Sequence, residues 1–85
     1  MWNVYFLQLA NGSIYVGSTN DLHRRFGAHQ RGQVISNKPY LPVTVKSYMA
    51  VPTERQAREL ERYFKSGSGK VFAKKRLCSD RDQNP

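Results

Sequence analysis

The apolar positions of this chain follow two periods, and the switches between them mark its elements. In VYFLQL (4–9), Val4 and Phe6 take one face of a strand and Tyr5, Leu7 and Leu9 the other. A strand apolar on both faces belongs in the middle of a sheet. IYVGS (14–18) reads as its hairpin partner, with Asn11-Gly12 at the turn. VTVKSYMAV (43–51) alternates and is β-branched, so it forms a third strand.

Between and after these strands the period lengthens to that of a helix. Leu22 and Phe26 make an i, i+4 pair, and Gly32 is a natural stop. Ser18, Thr19 and Asn20 are all good N-caps, and Asp21 suits the positive end of the helix dipole. QVISNKPYLP (33–42), with two prolines and little periodicity, reads as a loop. Thr53 and Gln56 form a capping box for a helix carrying Ala57, Leu60 and Phe64 as an apolar stripe. KSGSGK breaks that helix at Gly67. Ser68 is then the expected cap of a short last helix over about 69–77, with Val71 and Phe72 facing inward. The expected fold class is α+β: a small three-stranded antiparallel sheet flanked by helices, in the order β-β-α-β-α-α. One domain over 1–77 and a polar tail over 78–85 account for the chain.

The hairpin register decides whether Tyr5 and Tyr15 share a face. A two-residue turn at Asn11-Gly12 would pair Tyr15 with Gln8 and put the rings on opposite faces. A three-residue loop, Ala10 to Gly12, with Gly12 left-handed at a bulge, pairs Tyr15 with Leu7 and Gly17 with Tyr5. The three-residue form is expected.

Charge narrows the partners. Fourteen Lys and Arg stand against six Asp and Glu, a net +8, which draws polyanions. Nucleic acid is the expected partner. No apolar run approaches the ~20 residues of a membrane span. Met1-Trp2-Asn3 opens straight into strand-like sequence without a basic-then-apolar signal pattern, and the lone Cys78 offers no disulfide or zinc framework, so the expected compartment is the cytoplasm.

Against this basic background Glu61 is conspicuous, because it fills the i+4 position of the Ala57 stripe. The plain reading is an ion pair to Lys65 at i+4 or Arg58 at i−3. The alternative is a partner from elsewhere in the fold or a metal, since a buried carboxylate needs one or the other. Arg25 and His29 share a face of the first helix at i, i+4, whereas His23 points elsewhere and is expected at the surface.

NVY (3–5), YVG (15–17), DLHRRFGAH (21–29) and ARELERYFK (57–65), in this order, resemble the GIY-YIG nuclease superfamily over about residues 2–77. The likeness is to small stand-alone bacterial members. It implies a central three-stranded antiparallel sheet with helices packed around it and cleavage of a nucleic-acid phosphodiester with one divalent metal; the expected function is a DNA endonuclease using one Mg²⁺ or Mn²⁺ ion. Position by position, Tyr5 and Tyr15 match the motif tyrosines and Gly17 the motif glycine. Arg25 matches the catalytic arginine and Glu61 the metal-binding glutamate, and His29 sits where the family often has histidine or tyrosine. Asn3 departs from the motif glycine. The asparagine that some larger members use beyond the glutamate helix has only Asn84 to match it, and the role is not transferred.

The residue types suit that chemistry. One carboxylate suffices for a hard cation that keeps several waters. Arg25 can fork onto two phosphate oxygens, which lysine cannot. Tyr15 is the base implied by resemblance, although a phenol's ordinary pKa of ~10 demands a cationic neighbour. His29, with an ordinary pKa of ~6.5, is the competing base or relay. Tyr5 positions water or phosphate. Lys65, Lys70, Lys74, Lys75 and Arg76 are the expected nucleic-acid grip. SGSGK lacks the upstream glycine of a phosphate loop, Phe64 standing there, and reads as a helix stop and restart. The alternative function is a nucleic-acid-binding module that cuts little or nothing. An 85-residue chain is expected to carry no appended domain, so target choice is expected from DNA structure, a dimer or a protein partner.

Overall fold

The computed structural model describes residues 1–78. The chain runs β1 (Trp2–Gln8), β2 (Ile14–Thr19), α1 (Leu22–Gln30), a 3-10 segment (Ile35–Tyr40), β3 (Thr44–Val51), α2 (Glu54–Lys65) and α3 (Gly67–Phe72). Ala73–Leu77 continue α3 as a wider π-type turn, with the Cys78 N–H bonded to the Ala73 carbonyl at 2.9 Å. The tail expected beyond, with Asp80, Asp82 and Asn84, lies outside the described residues.

The sheet is antiparallel in the order β2-β1-β3. β1 is central because both its faces are apolar, and Val4, Tyr5, Phe6 and Leu7 are all buried. Their alternation divides the core in two. Val4, Phe6 and Val16 meet Ala57 and Phe64 of α2 and Ala73 of the π-type turn. Phe6 and Phe64 pack edge to face at 5.0 Å. On the other face Tyr5, Leu7, Leu9 and Val43 are covered by Leu22 and Phe26 of α1. Cys78 is buried with the first group.

The hairpin takes the three-residue form. Leu9 N–H donates to the Ser13 carbonyl at 2.8 Å, which leaves Ala10 to Gly12 as the loop. Gly12 has φ +89°, a conformation open to glycine at no steric cost. The register is therefore Tyr5 opposite Gly17 and Leu7 opposite Tyr15.

Three local expectations differ. The cap of α1 is Asp21, whose Oδ1 accepts from Arg24 N–H at 3.1 Å. Ser18 and Thr19 still belong to β2, so they cannot cap the helix. Thr19 instead accepts from the Asp21 N–H at 3.0 Å. Within 33–42, residues 35–40 close 3-10 turns, which satisfy backbone groups locally where no apolar stripe supports an α-helix. The last helix begins at Gly67, capped by Ser66 rather than Ser68. Its buried side is Gly69 and Ala73, while Val71 and Phe72 are exposed. The turn out of α2 is so tight that Gly69 lies directly on the Tyr63–Phe64 backbone, which rotates residues 71 and 72 outward. The capping box of α2 forms as expected, Thr53 Oγ1 accepting from Gln56 N–H at 3.2 Å.

Candidate active site

Because α1 and α2 cover opposite faces of the sheet, Arg25 and Glu61 start from opposite sides. They meet around β2, an edge strand. A cleft of about 310 Å³ there is lined by Tyr5, Tyr15, Gly17, Arg25 and Glu61, together with Ser18, Arg24 and Arg58. Gly17 makes the passage possible, since it presents no side chain opposite Tyr5. A Cβ there would stand 2.5 Å from Tyr5 Cζ and closer still to its hydroxyl.

The α1 side of the site is a tight polar knot inside an apolar face. The Tyr5 and Tyr15 ring centroids are 6.2 Å apart. His29 meets both rings edge-on, at 5.7 Å from Tyr5 and 5.0 Å from Tyr15. Tyr5 Oη shares a 3.0 Å hydrogen bond with His29 Nε2 and accepts from Arg25 Nε at 3.3 Å. Burial pushes the Tyr5 phenol up to about 12, against the opposing pull of Arg25. Tyr5 is thus a neutral phenol at physiological pH. Burial, then the Arg25 charge, pulls His29 down to about 4, so its ring is neutral. The Arg25 pKa is raised, chiefly by its hydrogen bond to Tyr5.

The α2 side holds the carboxylate. Glu61 keeps 19% of its side-chain surface exposed. Ser18 Oγ donates to Oε1 at 2.6 Å and Lys65 Nζ to Oε2 at 2.7 Å. Burial pulls the carboxyl up, but hydrogen bonds from Lys65 and Ser18, with the charges of Lys65 and Arg58, outweigh it and hold it below the ordinary range. An ionised hard-oxygen donor facing a cleft fits a single divalent cation whose other ligands are water and phosphate. Among the described residues no three His, Cys, Asp or Glu gather into a protein cage, so any ion here leans on Glu61.

The structure therefore brings together Tyr5, Tyr15, Gly17, Arg25 and Glu61, and sets His29 wholly buried behind Tyr5. The plain reading of Glu61 as an ion pair to Lys65 and the reading of a distant partner both hold at once. Ser18 was missed as a site residue, as were Arg24 and Arg58 as cleft residues. The one legible sign of Ser18 was its place directly after Gly17, which turns it to the α2 face. His23 is exposed, as expected.

Of the expected grip, Lys65, Lys70 and Lys74 line a second groove of about 490 Å³, which shares Tyr15 with the cleft. Lys75 and Arg76 are exposed on the π-type turn beside it. No helix among the described residues is long and apolar enough to cross a membrane.

Fold and cleft lead to one family of domains. The model of the GIY-YIG catalytic domain matches residues 1–76, and the chain belongs to the GIY-YIG family. It is 36% identical to a UPF0213 protein of Cupriavidus pinatubonensis over 61 residues, 71% of this chain and 68% of that one. With a UPF0213 protein of Xanthomonas campestris it shares 45% identity over 51 residues, 46% of this chain and 50% of that one, so it spans about half of that relative. The solution NMR structure of a UPF0213 protein from Bacillus halodurans is similar, with a TM-score of 0.60, 26% identity, and coverage of 96% of this chain and 92% of that one.

Proposed function

We propose that this protein is a metal-dependent endonuclease that hydrolyses DNA phosphodiesters in the cleft around β2. The observation that carries the reading is the convergence of Tyr5, Tyr15, Arg25 and Glu61 on one cleft from both faces of the sheet. A basic surface built only to bind would have no use for an ionised carboxylate there, since it repels phosphate.

In this reading Arg25 forks onto the scissile phosphate and stabilises the charge that builds on it. Tyr5, neutral and tied to Arg25 and His29, fixes the guanidinium and offers its hydroxyl to phosphate or water. His29 braces Tyr5 from behind. Its burial and a pKa of about 4 make it a positioning residue rather than the base. The proton of the attacking water goes to Tyr15, which lines the cleft with the Lys65 ammonium 5.9 Å from its ring. The new P–O bond forms from water as the ester P–O bond breaks, the leaving sugar oxygen takes a proton from solvent, and Tyr15 returns the proton of the attacking water to solvent. One Mg²⁺ or Mn²⁺ ion held by Glu61 would supply Lewis-acid stabilisation of the phosphate. Lys65, Lys70, Lys74, Lys75 and Arg76 grip the flanking backbone. The single buried thiol suits a reducing cytoplasm. Target choice falls to DNA structure, a dimer or a protein partner.

Nicking of supercoiled plasmid with Mg²⁺ or Mn²⁺ tests this. Glu61→Gln should keep DNA affinity within about two-fold and lose cutting by roughly 100-fold, as should Arg25→Ala in cutting. Equal nicking by Glu61→Gln would sink the metal assignment. The rival reading, a binding module that does not cut, draws on the Lys65 ion pair, which neutralises Glu61 in this conformation. It would be favoured by tight DNA binding with no cleavage by the wild type with either ion.

A further inference from the structure

Both oxygens of Glu61 are taken, but by donors of different kinds. Ser18 is fixed on β2 and its hydroxyl can turn, accepting as well as donating. Lys65 stands in the last turn of α2 on a flexible stem, with 51% of its side chain exposed. The same residue borders the groove that Lys70 and Lys74 line. One ammonium thus stands between a carboxylate and a groove shaped to draw phosphate.

Two demands on that ammonium conflict. A half-buried carboxylate with no cation needs a counter-charge, and Lys65 provides it. A dication on Oε2 and an ammonium 2.7 Å from the same oxygen repel each other and cannot both stay. Turning into the groove brings Lys65 towards Lys70 and Lys74, which is unfavourable until a phosphate lies there.

We propose that Lys65 is an exchange residue: it holds Glu61 in the metal-free protein, yields the carboxylate to the divalent cation, and turns into the groove to bind a backbone phosphate of the substrate. This rests on Glu61 being the metal ligand. The consequence is positive coupling. The cation frees the ammonium for phosphate, phosphate draws the ammonium off the carboxylate, and linkage makes the effect reciprocal.

Mn²⁺ binding, followed by the EPR signal of the free ion, tests the exchange on the intact chain. The proteins are the wild type, Lys65→Met and Glu61→Gln, without and with a phosphorothioate-blocked DNA duplex. Methionine keeps the stem and the helix propensity, so the variant should fold. Without DNA, Lys65→Met should bind Mn²⁺ roughly five-fold tighter than wild type, the upper range of what a half-exposed ion pair holds back. Glu61→Gln should lose the site, and the duplex should tighten Mn²⁺ binding more in wild type than in Lys65→Met. If Glu61→Gln loses the site but Lys65→Met matches wild type, the exchange role is overturned and the metal reading stands. If Glu61→Gln binds Mn²⁺ as well as wild type, the metal reading falls and the exchange role with it.

Discussion

Gly17 and His29 carry the site without touching substrate. Gly17 leaves the space that the Tyr5 ring fills, and a Cβ there would press on Tyr5 Cζ at 2.5 Å. Gly17→Ala should therefore cost roughly 1–3 kcal/mol of stability, read by thermal melting. It should also slow plasmid nicking by about ten-fold or more, because small misplacements of positioned groups are costly. Unchanged nicking would take Tyr5 out of the site. His29 makes stability depend on pH. Its folded pKa of about 4 lies below the ordinary value, so the fold favours the neutral ring. The contribution is complete above about pH 6.5 and is lost as pH falls towards 4, by at most about 1.4 kcal/mol per pH unit. Glu61, also lowered, gives up its contribution as pH falls below the ordinary carboxylate range, after most of the His29 contribution is lost. His29→Gln leaves Tyr5 a hydrogen-bond partner but does not titrate. Its melting temperature should fall less between pH 7 and pH 4.5 than that of wild type, and parallel curves would acquit the imidazole. None of this burial was legible in the sequence. The i, i+4 spacing placed His29 beside Arg25 but could not say that the Tyr5 ring would seal it in.

At the scale of elements, short-range chemistry decided most of the outcome. The Ala10–Gly12 loop set the hairpin register, and with it the common face of Tyr5 and Tyr15. The both-faced apolarity of β1 made it central. The capping box started α2. Where expectations failed, a neighbouring element had prior use of the residues. β2 held Ser18 and Thr19 that could otherwise have capped α1, and the corner between α2 and α3 turned on Ser66 and Gly69 rather than Ser68. That corner invites a paired test. A Cβ on Gly69 would sit 2.7 Å from Phe64 Cα and closer to the Tyr63 carbonyl oxygen, both backbone, whereas one on Gly67 meets nothing within 4 Å. Gly69→Ala should destabilise by roughly 1–3 kcal/mol. Gly67→Ala should be neutral or stabilising by a few tenths, up to about 1 kcal/mol, from helix propensity. Equal melting temperatures for the two variants would refute the close contact.

At the scale of the whole molecule, the net charge of +8 acts through where it collects. Lys65, Lys70 and Lys74 line one groove that opens beside Tyr15. If they meet phosphates, duplex affinity measured without metal should fall with log salt, and Lys70→Ala or Lys74→Ala should each lower that slope by about 0.9. Slopes unchanged by both substitutions would move the grip elsewhere. The sequence by itself determined the β-β-α-β-α-α order, the central strand, the hairpin register and the set of residue types fit for phosphate chemistry. These follow from periodicity, turn chemistry and charge, all of which act within a few residues. Only the tertiary structure decided that Arg25 and Glu61, on helices covering opposite faces, line one cleft around the edge strand, that Ser18 reaches the carboxylate, and that His29 is sealed. Those contacts reach across 24 positions for Tyr5 and His29 and 43 for Ser18 and Glu61, and they depend on how the layers pack, which no local pattern encodes.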